Sequence, residues 1–450
     1  MTHDVRGVPV SAGTVASLAR YETALRQFQT YVGDPIATLD AALADDPEFI
    51  AGHLFRALAL YTLSERKYLA EVERSLREVN TRAGRANDRE RALALAAQQL
   101  LSGEWHAACR TLDRVLIDHP RDALALQIGH LLDFYRGDAQ NLCNRVTRVL
   151  PQWDASVPGY SYVLGMHAFG LEEMNRYPEA EEQALRALAI DPKDGWAVHA
   201  ATHVMEMQGR IGDGIAWLES RESDWAPDNA FAFHNYWHLA LFHLDGGHHD
   251  RALALYDSRI HPAPATMLLT LIDATALLWR MMLESADTGD RFVHVADEWE
   301  AQLEAEAGHY AFNDAHAALA FVATDRTDAL QRLVAAMTRT AAGTDTNAAM
   351  TRDVAIPLAK GFEAFGRGRY ADAIAALESV RDIASRFGGS HAQRDLVTLT
   401  LIESAIRGGD RARANHYIAE RLVHKPGSAW GPRLAQRAAN GGAPLHRAVA

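Results

Sequence analysis

The stretch "YPEAEEQALRALAIDP", Tyr177 to Pro192, decides how this chain folds. Tyr177, Ala180, Ala184, Ala187 and Pro192 sit at offsets −3, 0, +4, +7 and +12 from an anchor alanine. The same frame recurs at Trp105, Ala108, Leu112, Val115 and Pro120. It recurs more weakly at Ala139, Cys143, Val146 and Pro151, and at Ala252, Tyr256 and Pro264. It returns at Ala414, Ile418 and Pro426 and, without the proline, at Tyr370, Ala373, Leu377 and Val380. Gly214 with Leu218 fills the gap between the units anchored at Ala180 and Ala252. Offsets of 0, +4 and +7 lie on one stripe of an α-helix, and a proline beyond the last turn stops it.

The anchors 108, 139, 180, 214 and 252 are separated by 31, 41, 34 and 38 residues. That period resembles the tetratricopeptide repeat, a helical hairpin of about 34 residues with small residues at helix crossings. Each hairpin buries its apolar face only against its neighbours, so the hairpins stack. The expected fold is therefore all-α, a tetratricopeptide-repeat-like superhelix (an α-solenoid), tightly curled around a central cavity. "DDPEF", "DHPRDA" and "IDPKDG" read as breaks between hairpins, and "LDGGHHD", "GRGRY" and "RGGDRA" as turns within them. Residues 1–30 read as an N-terminal helical cap, 31–261 as repeats, 262–360 as degenerate repeats and 361–450 as C-terminal repeats and cap. These form one continuous superhelix, with Ala329 and Leu333 as a weak anchor pair and "TAAGTDTNAAMTRD", 340–353, as a flexible loop.

Composition narrows the function classes. With 48% hydrophobic and 23% charged residues, the 450-residue chain has the balance of a soluble protein. A net charge of −13 supplies no electrostatic footprint for nucleic acid or anionic lipid, so neither is an expected partner. Two cysteines, Cys109 and Cys143, without a CxxC pattern argue against a disulfide framework or a cysteine zinc site; both read as inert packing residues. "MTHDVRGVPVSAGTVASLARYE" lacks the basic and apolar regions of a secretory signal, and cytoplasmic location is expected. The end helices offer surfaces for a homodimer.

The chemistry concentrates in "VHAATHVMEMQGR" (Val198–Arg210) and "FHNYWHLALFH" (Phe233–His243), each with histidines four apart. Eight of the 21 histidines lie between 167 and 249. Registering the repeat, without using the histidines, sets Trp196, His199, His203 and Glu206 on the inward stripe of one helix. Tyr162, Gly165, Phe169 and Glu172 fall on the helix before it, and His234 and Trp237 on the one after, with His238 one step round the helix from Trp237. His199, His203, His234 and His238 are thus candidate ligands for a divalent metal; no other cofactor is indicated, and no HExxH motif is present. His203, His234, His238, Glu172 and Glu206 are equally candidates for acid–base catalysis. Turn-borne His248 and His249 are expected to be solvated.

Several blocks resemble tetratricopeptide repeat protein 38 and its bacterial relatives: "GMHAFGLEEMNRYPEAE", "GWAVHAATHVMEMQGR", "HNYWHLALFHLDGG", "YDSRI", "DATALLWR", "FNDAHAALA" and "GGSHAQRD". The resemblance covers most of the chain. It implies a helical-repeat protein and carries over no established reaction. Its blocks gather polar residues from distant repeats, adding Asn235, Asp273, Arg280, Asp314, His316, His391, Gln393, Arg394 and Asp395 to the candidate site. In "GGSHAQRD", Ser390 reads as an N-cap, with His391 and Gln393 in the first turn and Arg394 as an anion anchor. The competing reading makes Arg394–Asp395 and Arg280–Asp273 structural ion pairs. The resulting expectation is a small polar molecule or peptide segment bound in a His/Trp/Glu-lined cavity; the alternatives are an enzyme using that cavity and a structural scaffold.

Overall fold

The computed structural model describes residues 2–11 and 13–440. The chain is all-α in its body and runs as successive helical hairpins. Val15–Thr30 is followed by Pro35–Asp45, Asp88–Leu101 by Trp105–Asp118, Tyr160–Glu173 by Tyr177–Ile190, and His391–Arg407 by Arg411–His424. The anchors of the repeat are buried as the frame requires: Ala108, Ala180, Ala252, Ala373 and Ala414 are solvent-inaccessible. Helices end where the prolines demand, at Asp118 before Pro120, Ile190 before Pro192 and His424 before Pro426. The poorly matching region is built the same way, from Leu268–Leu283 with Arg291–Glu306 and Ala311–Ala323 with Thr327–Ala341.

Two compact units divide the chain within one helix, Gly195–Gln208: residues 1–201 with 222–232, and 202–221 with 233–450. In the first unit, the Arg89–Asp122 pair (2.6 Å) and the Arg145–Asp133 pair (2.7 Å) are wholly buried between hairpins. Asp122 also caps Ala123–Tyr135 by accepting from the Ala125 amide, so one carboxylate neutralises a guanidinium and starts a helix.

In the second unit the inner helices are buried on nearly every face. Leu268–Leu283 and Ala311–Ala323 are buried over nearly their whole length, whereas their partners Arg291–Glu306 and Thr327–Ala341 are amphipathic. Buried indoles are satisfied by helix-borne hydroxyls: Trp279 donates to Thr400 and Trp299 to Thr275, both at 2.9 Å. The C-terminal hairpin and last helix, Trp430–Asn440, return to the helices that open the unit. Arg433 donates to the Leu244 and Asp245 carbonyls, and Arg407 and Arg437 to the Leu283 carbonyl. Cations thereby satisfy the orphan carbonyls at two helix C-termini.

Three local expectations need correction. The N-terminal segment opens not with helix but with a short antiparallel pairing of Thr2–His3 with Pro9–Val10, before Val15–Thr30. Asp4 accepts from the Arg6 and Val8 amides and pairs with the Arg6 guanidinium, which closes that turn. Much of the segment expected as a loop, 340–353, is helical: Thr346–Met350 follows an Asp345 N-cap. Buried Asn347 there accepts from the Ala311 amide and donates to the Gly308 carbonyl. His249 starts a helix and bonds Glu284 at 2.9 Å, so it is not simply solvated.

Candidate functional site

The second unit gathers a buried polar cluster from five helices. Gly195–Gln208 supplies His203 and Glu206, and Ala232–Asp245 supplies His234, Trp237 and His238. Leu268–Leu283 supplies Asp273 and Arg280, His391–Arg407 supplies Asp395, and Arg411–His424 supplies Arg421, with Lys425 just beyond its end. Of these, none is more than 8% exposed except Asp395, whose side chain is 11% exposed. The i, i+3, i+4 spacing fixes which side chains share a stripe, and the small and apolar residues between them hold the helices at packing distance.

Two imidazole–carboxylate dyads form the centre. His234 Nδ1 lies 2.6 Å from Asp273 Oδ2, and His238 Nδ1 lies 2.6 Å from Glu206 Oε2. A carboxylate accepting from Nδ1–H fixes the tautomer and leaves the lone pair on Nε2. The His203 and His238 rings meet edge to face at 4.4 Å, and the His234 and His238 rings at 4.9 Å. Trp237 stacks on His234 at 5.2 Å and 15°, and the Arg280 guanidinium lies over the Trp237 ring at 5.4 Å.

Around the dyads runs a charge network. Lys425 Nζ bonds Glu206 Oε1 at 2.9 Å, and Arg421 holds Asp395 through two parallel bonds of 2.9 and 2.8 Å. Arg280 is buried and donates to the carbonyls of Ala276, Ala392 and Gln393. Burial alone would raise the Glu206 carboxyl, but Lys425 and His238 together hold it well below the ordinary range. Lys425 is pushed up by Glu206 and Asp395 against the opposing effect of burial. Burial lowers His203 well below its ordinary value and lowers His238 too, despite Glu206. Burial also lowers Arg280, to about 10. The imidazoles of His203 and His238 are accordingly neutral beside an ionised carboxylate and ammonium.

Several expected site residues do local work instead. Asp314 accepts from the Gly308 amide and braces the turn before its own helix. His316 bonds the Phe312 carbonyl at 2.8 Å, packs on the Phe312 ring, and is lowered to about 4 by burial. Ser390 is the N-cap expected, completing a capping box with Gln393. Arg394 bonds the Gly389 carbonyl of its own turn and approaches His391. Neither expected ion pair forms: Asp273 goes to His234 and Asp395 to Arg421. In the first unit, His199 sits among Phe169, Trp196 and Phe231 at ring separations of 4.8–5.3 Å, and Glu172 is fully buried.

Sequence reading missed Arg421 and Lys425.

No family model matches the chain. Among solved structures, human IFIT1, described as a dimer with m7Gppp-AAAA, aligns at 14% identity over 93% of this chain and 99% of its own, with a TM-score of 0.43. The Cut9–Hcn1 hetero-tetramer of the APC/C aligns at 12% identity over 94% and 76%, with a TM-score of 0.47. Yeast Tom70 aligns at 12% identity over 95% and 87%, with a TM-score of 0.37. Among the described residues no helix is long and apolar enough to cross a membrane.

Proposed function

We propose that the protein is a cytoplasmic helical-repeat binding protein whose recognition centre is the polar cluster of the second unit, and that it takes a small polar ligand there. The resemblance to tetratricopeptide repeat protein 38 supplies the finer family reading. One observation carries the function. Side chains separated by 219 positions, Glu206 and Lys425, meet directly beside two buried imidazole–carboxylate dyads. Desolvating so many ionisable groups costs stability that an apolar core of equal volume would not. Groups arranged against stability mark sites that serve a ligand.

The dyads also support a second reading, an enzyme in which His238, oriented by Glu206, acts as a general base. A scaffold, the third reading, gains its stability from these same contacts. Unfolding of the chelator-treated double variant His203→Ala, His238→Ala separates the scaffold from the other two. A site residue pair is expected to cost little stability or to raise it. A loss of several kcal/mol, the cost of large-to-small changes in a core that merely packs, would refute the binding reading.

A further inference from the structure

Resting on that reading, we propose that the centre holds a divalent transition-metal ion of the zinc class, ligated by His203, His234 and His238. Each of these histidines offers a ring nitrogen within 4.8 Å of the others. Zinc–imidazole bonds of about 2.0–2.1 Å put tetrahedral ligand nitrogens roughly 3.4 Å apart, so the three need to close by at most about 1.4 Å. Rotation of imidazole rings on neighbouring helices covers that distance.

The orientation of the rings is the independent support. In both His234 and His238 the carboxylate contact is made through Nδ1, which turns Nε2 into the ligating atom. A carboxylate behind a ligating imidazole is how proteins fix the ring and raise its basicity toward a metal. Here two of three rings carry one, and Glu206 is itself locked by Lys425. Three imidazoles supply three donors of a tetrahedral shell. Imidazole donors without thiolate or an all-oxygen shell suit zinc, cobalt or nickel and disfavour magnesium or calcium.

The test uses the full-length chain, stripped with a chelator and titrated with Co²⁺, with stoichiometry read by metal analysis and coordination by visible absorption. One Co²⁺ per chain, with the intense bands of a low-coordinate site, is expected. Zn²⁺ should displace it. Glu206→Gln and Asp273→Asn keep all three imidazoles and should weaken binding by about 10–100-fold. His203→Ala with His238→Ala should abolish uptake, while His294→Ala, at an exposed histidine, should leave it unchanged. Circular dichroism verifies that each variant is folded. If the histidine variants do not fold, the wild-type stoichiometry and the two carboxamide variants decide. A folded wild-type chain that takes up no stoichiometric ion overturns the proposal, as does uptake that Glu206→Gln and Asp273→Asn leave unweakened. Failure here with a small molecule still bound by metal-free protein would leave the binding reading standing, so the two are distinguishable.

Discussion

Lys425 Nζ lies 2.9 Å from Glu206 Oε1, joining the end of the last repeat hairpin to the first helix segment of the second unit. Both side chains are nearly inaccessible, at 5% and 7% exposure. A buried pair of this kind adds little over an apolar pair of equal volume, but removal of one member strands a charge. Lys425→Met is therefore expected to destabilise the protein by about 3–5 kcal/mol. Adding Glu206→Gln should recover much of that loss, since no uncompensated carboxylate remains. Urea unfolding of the two single variants and the double variant checks this, with a clear positive coupling energy as the expected outcome.

Gly209 turns the chain out of Gly195–Gln208 with φ +70°, and the Gly427–Ser428 backbone packs against it. A Cβ there would lie 2.3 Å from the Gly427 carbonyl carbon. The Gly427 amide donates to the Gln208 carbonyl, so the neighbouring strand of backbone is tied in place and cannot retreat. Gly209→Ala combines left-handed strain of about 1–2 kcal/mol with an unavoidable clash. Expected is a fall in thermal midpoint together with loss of protection from hydrogen exchange around Lys425, because the same backbone contact carries the Lys425–Glu206 pair.

Acid should weaken the fold through its buried neutral histidines. His316 is lowered to about 4 by burial, against an ordinary value near 6.5. Between those two values the unfolded chain binds the proton and the folded chain does not, so stability is intact above pH 6.5 and falls as the pH drops toward 4. For one such residue the loss between pH 7.5 and pH 5 is about 2 kcal/mol. His130, equally buried and lowered to about 4, adds to it. His316→Gln should shrink the difference in unfolding free energy between the two pH values by about that amount; an unchanged difference would contradict this account.

The sequence carried the hairpins because their determinants are local: a small residue at a crossing, an apolar stripe, a proline past the last turn. Ala180, Ala252 and Ala414 are buried as that frame requires, and the Ser390 N-cap falls at its expected position. Convergence of His203, His234 and His238 followed from register. Partner choice did not, because it depends on how far each helix is rotated about its own axis. Asp273 was equally suited in kind to Arg280 and to His234, and a fraction of a turn gives it to His234. Lys425 was invisible for a different reason: at the end of an outer helix, the repeat reads only a stop. Asp345 and Asn347 lay in a small, polar segment whose composition signals a turn, yet a cap and one buried amide suffice to make it helical.

Two glycines of the Ile211–Ser220 helix should respond to the same substitution with opposite sign. Gly214 is the repeat's crossing residue, and a Cβ there would lie 2.2–2.5 Å from the Phe242 ring. Phe242 is 1% exposed and cannot swing away. Overpacking of about 1–3 kcal/mol then outweighs the gain of about 1 kcal/mol in helix propensity, and Gly214→Ala should be a net loss. Gly212, two residues earlier, has nothing within 4 Å of the same added methyl. There the reduced freedom of the unfolded chain dominates, and Gly212→Ala should stabilise by about 0.4–1 kcal/mol. Thermal unfolding of the two variants beside the parent decides it: if both shift the midpoint the same way, the small-residue crossing inferred from the repeat frame is not what holds these helices at their spacing.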